Sequence, residues 1–257
     1  MGKWAAFPHL GDFQFDGQRV KKLWARLHAG DAEPLPKDAN VLEAWVLFHN
    51  GEFQRAAEAG LAAGGDGITV ANKATAVYAN YLEKKEKSKL DLFLEVAQRA
   101  EAQAAGDAKN ANAWYWQAYA LGRYSQGISV AKALAQGLGS KVKESLERTI
   151  KLQPRHADAH IALGAFHAEV IDKVGALIGG MTYGAKKDLG LKLFQDALKI
   201  NPVSTIGMIE YANGLVMLEG DRKMKEATRL YEQAAAAQPI DALERLDVEL
   251  AKAELQE

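Results

Sequence analysis

Three segments of this sequence share one spacing of residues, and that spacing constrains the fold more than any other feature. Aligned without gaps, each segment has a small or apolar residue, then a large one, then a small one, then a proline. The three sets are Val142, Leu146, Thr149 and Pro154; Gly190, Phe194, Ala197 and Pro202; and Ala227, Tyr231, Ala234 and Pro239. Because proline disfavours helical continuation, each segment predicts a helix that its proline ends.

A second shared pattern precedes each of these segments. It consists of His160-x2-Leu163-Gly164-x2-His167, Trp114-x2-Gln117-Ala118-x2-Leu121 and Tyr211-x2-Gly214-Leu215-x2-Leu218. Taken together, the two patterns resemble the tetratricopeptide repeat (TPR), in which Trp-x2-Leu-Gly-x2-Tyr is followed by Ala-x3-Phe and then Pro. The resemblance implies an all-α fold, a right-handed α-solenoid of TPR-like helical pairs with terminal capping helices.

The repeats vary in clarity along the chain. They are clear over about 110–240 and degenerate over about 38–108, where two further pairs are expected and the first helix is predicted to begin with Asn40 as its cap. Terminal helices are predicted over about 16–29 and 240–256, where they would cap an open stack. We therefore expect five helical pairs, no strands, and a single domain spanning residues 1–257.

Two repeats contain insertions between their paired helices. The family spacing there is nine positions, whereas Leu121 and Val142 are 21 apart and His167 and Gly190 are 23 apart. The insertions share a submotif, "ALAQGL" at 133–138 and "ALIGGM" at 176–181. We predict that both extend the helices of their repeats and pack closely through small residues. Large apolar side chains would then face a slot or a second subunit: Leu134, Leu177, Ile178 and Met181.

The enlarged repeats are similar to those of a narrower set of proteins. These are the TPR-like proteins associated with TRAP transporters and the related regulator-of-microtubule-dynamics proteins, which look like helical stacks with extended helices. The transporter-associated members are thought to carry a channel for an apolar ligand. The resemblance implies that a small apolar ligand could be held near the glycine-rich insertions.

The histidines offer the one spacing typical of a metal site. His156, His160 and His167 lie near one helical stripe, and imidazoles in such an arrangement can bind zinc. However, His160 and His167 occupy the positions where the family packs aromatic rings, so we predict no metal. The sequence also has no nucleophile elbow and no phosphate-binding loop. We therefore expect no catalytic residue, no cofactor and no enzymatic activity.

Charge and composition exclude other classes. The 32 basic residues nearly balance the 33 acidic ones, which argues against nucleic acid as a partner. The chain contains no cysteine, so it forms no disulfide. The apolar run around the second insertion is too short to span a bilayer, and the first residues do not resemble a signal peptide. We expect no membrane insertion and a cytoplasmic location, or a periplasmic one if a leader has been removed.

In the TPR family the first helix of each pair lines the concave surface. Carrying those positions over predicts a partner-binding groove of Asn112, Tyr115, Tyr119, Arg123, Asp158, Ile161, Ala165 and Glu169. This groove is mostly apolar, so the predicted function is a non-catalytic scaffold that holds an apolar helix or extended peptide of a partner protein. The alternative is a carrier or transport-accessory protein for a small apolar ligand. A terminal helix could instead cover Tyr115 and Tyr119. The sequence is also compatible with a homo-oligomer.

Overall fold

Helices make up the fold, and they are arranged in two compact units. The computed structural model describes residues 2–256, and no β-strand occurs in this range. Unit 1 contains the chain up to His28 together with Glu33–Leu152 and Ile240–Leu243, whereas unit 2 contains Ala29–Ala32, Gln153–Pro239 and the chain from Glu244 onward. The all-α prediction is confirmed. That the two units form a single domain spanning residues 1–257 stays a prediction. The first and last residues of that predicted domain, Met1 and Glu257, lie outside the described range.

Unit 1 is built from eight helices within the described residues. They are α1 (Gly17–Leu27), α2 (Ala39–His49), α3 (Phe53–Ala63), α4 (Gly67–Tyr81), α5 (Glu86–Gly106), α6 (Ala111–Gln126), α7 (Val130–Ala135) and α8 (Leu138–Leu152). The pairs α2/α3, α4/α5 and α6/α8 follow one another, and α3 also packs on α4 and α5 on α6. This neighbour-to-neighbour packing is that of a helical repeat, because each pair buries its apolar faces against the next.

Unit 2 contains two further helical pairs. Its helices are α9 (Ala157–Val174), α10 (Ala176–Tyr183), α11 (Lys187–Ile200), α12 (Thr205–Glu219), a 3₁₀ turn (Gly220–Lys223), α13 (Met224–Ala235) and α14 (Ala242–Glu254), whose first two residues belong to unit 1. α9 pairs with α11 and α12 with α13, and α12 also packs on α9 and α11. The five predicted pairs are therefore all present among residues 2–256.

Phe194 explains why α9 and α12, the first helices of the two pairs in unit 2, each have a glycine next to its ring. Its ring is fully buried and stacks on Tyr211 with 5.5 Å between ring centroids. A Cβ atom added to Gly164 would lie 3.1 Å from the Phe194 ring, and one added to Gly214 would lie 2.4 Å from it. Any larger residue at Gly214 would push α12 away from α11.

Local capping differs from the sequence prediction at two places. The cap of α2 lies two residues earlier than expected, because Asp38 is the cap and accepts a 2.7 Å hydrogen bond from the backbone N–H of Asn40. Asn40 is therefore a helical residue. α13 ends at Ala235, well before Pro239, so this proline does not itself stop the helix.

The insertions also differ from the prediction. Each forms a short helix of its own, α7 or α10, and neither extends the helix that precedes it. α9 ends at Val174 because Gly175 takes a φ of +81°, a conformation that favours glycine. α6 ends at Gln126, and Ser129 caps α7 by accepting from the backbone N–H of Lys132.

Candidate interaction sites

The second insertion forms a short helix, α10, and a glycine allows this helix to lie close to α9. A Cβ atom on Gly179 would lie 2.9 Å from Cγ1 of Val170, so α10 approaches α9 more closely than a larger residue would permit. Gly175 and Gly184, at φ +81° and +65°, form the two ends of the helix. The glycines of this stretch therefore have two roles: two change the chain direction, and Gly179 permits close packing.

Further contacts fix the far end of α10. The rings of Phe166 on α9 and Tyr183 on α10 meet edge to face with 6.2 Å between centroids. After the helix, the backbone N–H of Ala185 donates to the carbonyl of Gly179 at 3.1 Å, and the N–H of Lys186 donates to Nδ1 of buried His167 at 3.4 Å. Both ends of the insertion are thus tied to unit 2, and α10 is a supported element of it.

The outer face of α10 is apolar and open to solvent. Leu177, Ile178 and Met181 are 77%, 59% and 82% exposed. Exposed residues of both charge signs surround them in the chain: Asp172, Lys173, Lys186 and Asp188. A contiguous apolar patch bordered by mixed charges is typical of a surface that another protein covers.

The first insertion, in unit 1, is arranged differently. α7 has six residues and no buried side chain, and Leu134 is 47% exposed. At Gly137 the chain adopts φ +63° and turns directly into α8, whose first residue, Leu138, is buried. The "ALAQGL" motif therefore exposes a smaller apolar surface than "ALIGGM".

Four predicted groove residues lie on α6 in unit 1. Asn112 and Tyr115 are each 5% exposed, and Asn112 donates a hydrogen bond to the carboxylate of Glu33. Tyr119 is half-buried between Phe93 and the guanidinium of Arg123, which lies 5.3 Å from the Tyr119 ring centroid. The chain itself therefore contacts much of this face, and binding of a partner by these residues stays a prediction.

The segment that supplies Glu33 belongs to a buried polar and aromatic cluster in unit 1. Nε1 of Trp24 donates to the carbonyl of Glu33 at 2.8 Å, and the Trp24 ring stacks on His28. His28 in turn contacts the ring of His49 on α2, whose Nδ1 lies 2.7 Å from Oδ2 of Asp241. Sequence reasoning missed this cluster because His49 and Asp241 lie 192 positions apart and no local motif links them.

The other four predicted groove residues lie on α9 in unit 2. The backbone N–H of Asp158 donates to the carbonyl of Gly30 at 3.0 Å, and a Cβ atom on Gly30 would clash with the Asp158 carboxylate. Ile161 is buried in the cluster around Phe194, and Ala165 packs against that cluster. Glu169 is half-buried and pairs with Lys173 at 3.6 Å. Their predicted contact with a partner is likewise untested.

The three histidines with the spacing typical of a metal site, His156, His160 and His167, each make a structural contact. Nδ1 of His156 caps α9 by accepting from the N–H of Ala159 at 3.1 Å, and Nδ1 of His160 donates to the carbonyl of His156 at 3.0 Å. His167 accepts from Lys186 as described above. Within residues 2–256, no three histidine or carboxylate side chains converge as a metal ion would require.

Comparison with known proteins assigns this arrangement of pairs to a family. The family model for regulator of microtubule dynamics protein 1-3 matches residues 63–256. The chain belongs to that family. No curated protein sequence gives a significant match. The match of the regulator-of-microtubule-dynamics model confirms the resemblance inferred from the insertions.

Solved structures place the fold of this family member among TPR proteins. The crystal structure of a thermophilic TPR protein from Thermus thermophilus has a TM-score of 0.58 and 15% sequence identity, covering 83% of this chain and 97% of that one. At this identity the likeness concerns the fold alone, and it agrees with the predicted α-solenoid class. Among residues 2–256, no helix combines the length and apolar composition needed to cross a bilayer.

Proposed function

We propose that the protein is a non-catalytic interaction scaffold that binds an apolar helix of a partner protein through the outer face of α10. The observation that carries this proposal is the exposure of Leu177, Ile178 and Met181 on one short, well-anchored helix. Large apolar side chains gathered in this way lose contact with water when a partner covers them, and that loss drives association.

The backbone of α10 favours a helical partner. A helix satisfies its interior N–H and C=O groups internally, so α10 offers no strand edge to which an extended peptide could add. A partner segment that covers an apolar surface must satisfy its own backbone groups, which a helix does. We therefore prefer the helix over the extended peptide.

The charges around α10 favour a protein over an anionic membrane surface. Lys173 and Lys187 pair with Glu169 and Glu219, at 3.6 Å and 2.9 Å. A membrane-binding tip would instead gain from a cluster of uncompensated lysines. A mixed rim suits a partner protein with complementary charges.

A photo-cross-linking experiment tests the proposal. A benzophenone amino acid at Met181 should give one discrete protein adduct in cells, and Leu177→Ser should abolish it. The matched control places the same group at Leu10, which is 58% exposed and lies outside the insertion. With the partner purified, Leu177→Ser should weaken binding about tenfold, whereas Leu134→Ser should not.

Three results would contradict the proposal. An equal set of adducts from Met181 and Leu10 would mean that α10 has no specific partner. A small apolar molecule that recurs in organic extracts of the purified protein, and that is missing from extracts of the Leu177→Ser variant, would support the carrier alternative. Flotation of the protein with liposomes, lost in the same variant, would indicate a membrane surface.

A further inference from the structure

Residues 2–7, the N-terminal segment, lie along unit 1 without forming a helix, and two aromatic side chains anchor them there. The Trp4 ring stacks on Tyr78 of α4, with 4.2 Å between the ring centroids and 8° between the ring planes. The buried Phe7 ring meets Phe53 of α3 edge to face, with 5.9 Å between centroids. The two alanines between these anchors are exposed. The segment is therefore held by aromatic rings three positions apart.

Side chains of unit 1 also bind the backbone of the N-terminal segment. Gln54 on α3 accepts a hydrogen bond from the N–H of Trp4 at 2.9 Å and donates one to the carbonyl of Gly2 at 3.2 Å. The hydroxyl of Tyr78 accepts a hydrogen bond from the N–H of Ala5 at 3.3 Å. Bonds of this kind engage main-chain atoms that every peptide has, whereas the places that receive the rings select particular side chains.

The place that receives Phe7 depends on a glycine in the turn between α2 and α3. Gly51 has a φ of +85°, and a Cβ atom there would lie 2.3 Å from Cδ1 of Phe7. Any other residue would be strained at this φ and would occupy the space of the ring. The turn thus leaves room for an aromatic ring because it has no side chain at this position.

The chain is fixed again just before α1, which separates the N-terminal segment from the rest of unit 1. The side-chain amide of Asn50 accepts from the N–H of Phe15 at 2.8 Å and donates to its carbonyl at 3.1 Å. The hydrogen bonds that hold the segment itself come from side chains, so its detachment breaks no backbone bond within a helix. Segments with few anchors open at a lower free energy than the helices they cover.

We propose that this surface of unit 1 binds a non-helical peptide of a partner protein, and that the N-terminal segment occupies the site as an intramolecular competitor. The partner peptide carries aromatic residues three positions apart, which lie on Tyr78 and above Gly51, and its backbone bonds to Gln54. A tethered competitor has a high effective concentration and lowers the apparent affinity for the partner. The site goes beyond the proposed α10 surface and lies outside the groove residues predicted on α6 and α9.

Amide hydrogen exchange of the full-length protein tests whether the N-terminal segment detaches. The amides of Trp4 and Ala5 should exchange at least about tenfold faster than those of Ala56 and Ala57, which are buried in α3, because the segment opens while the helices stay folded. Equal protection at the four amides would mean that the segment leaves only when unit 1 unfolds. That result would overturn the proposal.

A binding experiment tests whether the site accepts a separate peptide. The probe is an acetylated, fluorescein-labelled peptide with the sequence of residues 2–9, GKWAAFPH. The full-length variant Trp4→Ala with Phe7→Ala should bind it saturably at micromolar concentration, and at least about tenfold more tightly than the unchanged protein does. A control peptide with alanine in place of both aromatic residues should not bind. Circular dichroism of the double variant checks that its helices are intact.

Matched variants in the background of this double variant locate the site. Gly51→Ala places a methyl group where the Phe ring must lie and should weaken binding of the probe about tenfold. The control is Gly64→Ala, because Gly64 also has a positive φ, +64°, but a Cβ atom there meets nothing within 4 Å. It should leave binding unchanged. Gln54→Leu removes both backbone contacts and should also weaken binding about tenfold.

A displayed library of random eight-residue peptides tests the chemistry of the partner. Selection on the double variant should enrich aromatic residues three positions apart, and Gly51→Ala should abolish that enrichment. Selected peptides without such a pair would overturn the proposed specificity.

Three further outcomes would overturn the proposal. One is the absence of saturable binding of the probe to the double variant. Another is loss of the helices in that variant, which would place the N-terminal segment in the core of unit 1. The third is a dimer of the unchanged protein, measured by light scattering, that the double variant dissociates, because the site would then join two copies of this chain. None of them bears on α10, because cross-linking at Met181 reports on that surface separately.

Discussion

The two glycine-rich insertions occupy the same position within their repeats, yet they fold differently. In the first, Gly137 adopts φ +63° and Leu138 is buried as α8 begins. In the second, Gly180 at the aligned position is helical, α10 continues to Tyr183, and Met181, aligned with Leu138, is 82% exposed. Two six-residue stretches that are identical at three positions and end in a large apolar residue therefore bury that side chain in one unit and expose it in the other.

The residue before the aligned glycine accounts for part of this difference. In the second insertion it is Gly179, which lets α10 lie against Val170 on α9. In the first it is Gln136, whose side chain is exposed at the end of α7. A long side chain at this position would prevent the close approach that anchors α10. An anchored helix can present apolar residues outward without collapsing onto the protein.

The largest expected effect sharpens the contrast between Leu138 and Met181. Leu138→Ala removes a buried side chain and should lower the free energy of unfolding by about 2–4 kcal/mol. Met181→Ala removes an exposed one and should change it by less than about 0.5 kcal/mol. Urea denaturation of both variants measures this. Equal losses would mean that Met181 is packed in solution.

The next prediction tests the anchoring of α10. Gly179→Leu places a side chain where Cγ1 of Val170 lies, so we expect a loss of about 1–3 kcal/mol and faster proteolysis between residues 175 and 185. The matched control is Gly180→Ala, because a Cβ atom there would lie an ordinary 3.6 Å from the Ala185 carbonyl. It should be neutral or gain up to about 1 kcal/mol. A thermally neutral Gly179→Leu would contradict this packing.

A smaller effect is expected where the second insertion returns to unit 2. His167→Leu removes the acceptor of the Lys186 N–H and should cost about 1 kcal/mol while leaving the fold intact. Hydrogen exchange at Lys186 should become faster. His167→Asn can place an oxygen near the position of Nδ1 and should restore part of the protection. If Leu and Asn behave alike, the hydrogen bond contributes nothing measurable.

The smallest effect concerns the ion pair at the start of α11. Lys187, which hydrogen-bonds to Glu219 at 2.9 Å, lowers the pKa of that carboxyl group, and Arg222 and Lys223 lower it further. Because the folded pKa is below the unfolded one, this stabilisation is present above the unfolded pKa and is lost as the pH falls through the folded pKa. Lys187→Met should raise the Glu219 pKa towards its ordinary value, as measured by NMR titration. An unchanged pKa would show that Arg222 and Lys223 suffice.

The helical repeats were predictable because their signals are local. The spacing that ends in Phe194, Ala197 and Pro202 predicts a helix from periodicity and from the stop before proline, and α11 is that helix. The predicted cap of α2, Asn40, was wrong by two positions, because Asp38 and Asn40 are both good capping residues. Sequence alone does not rank two such neighbours.

The candidate sites were predictable to a lesser degree. The exposed side chains of α10 were picked out as a group by their apolar character, although the predicted extension of α9 was wrong. Hydrogen bonds between distant helices gave no signal at all. Gln103 and Arg99 on α5 donate to Thr69 and Asn72 on α4, which lie 34 and 27 positions away, and a polar residue on a helix is ordinarily solvated.

The sequence by itself determined the helical pairs, their order and the location of both insertions, since periodicity, proline and glycine act over a few residues. Tertiary structure decided which side chains of the insertions are buried, because burial depends on the distance between helices. Val170 meets Gly179 across two helices, and His49 meets Asp241 from opposite ends of the chain. Such contacts exist once the helices have packed, and no local pattern of residues records them.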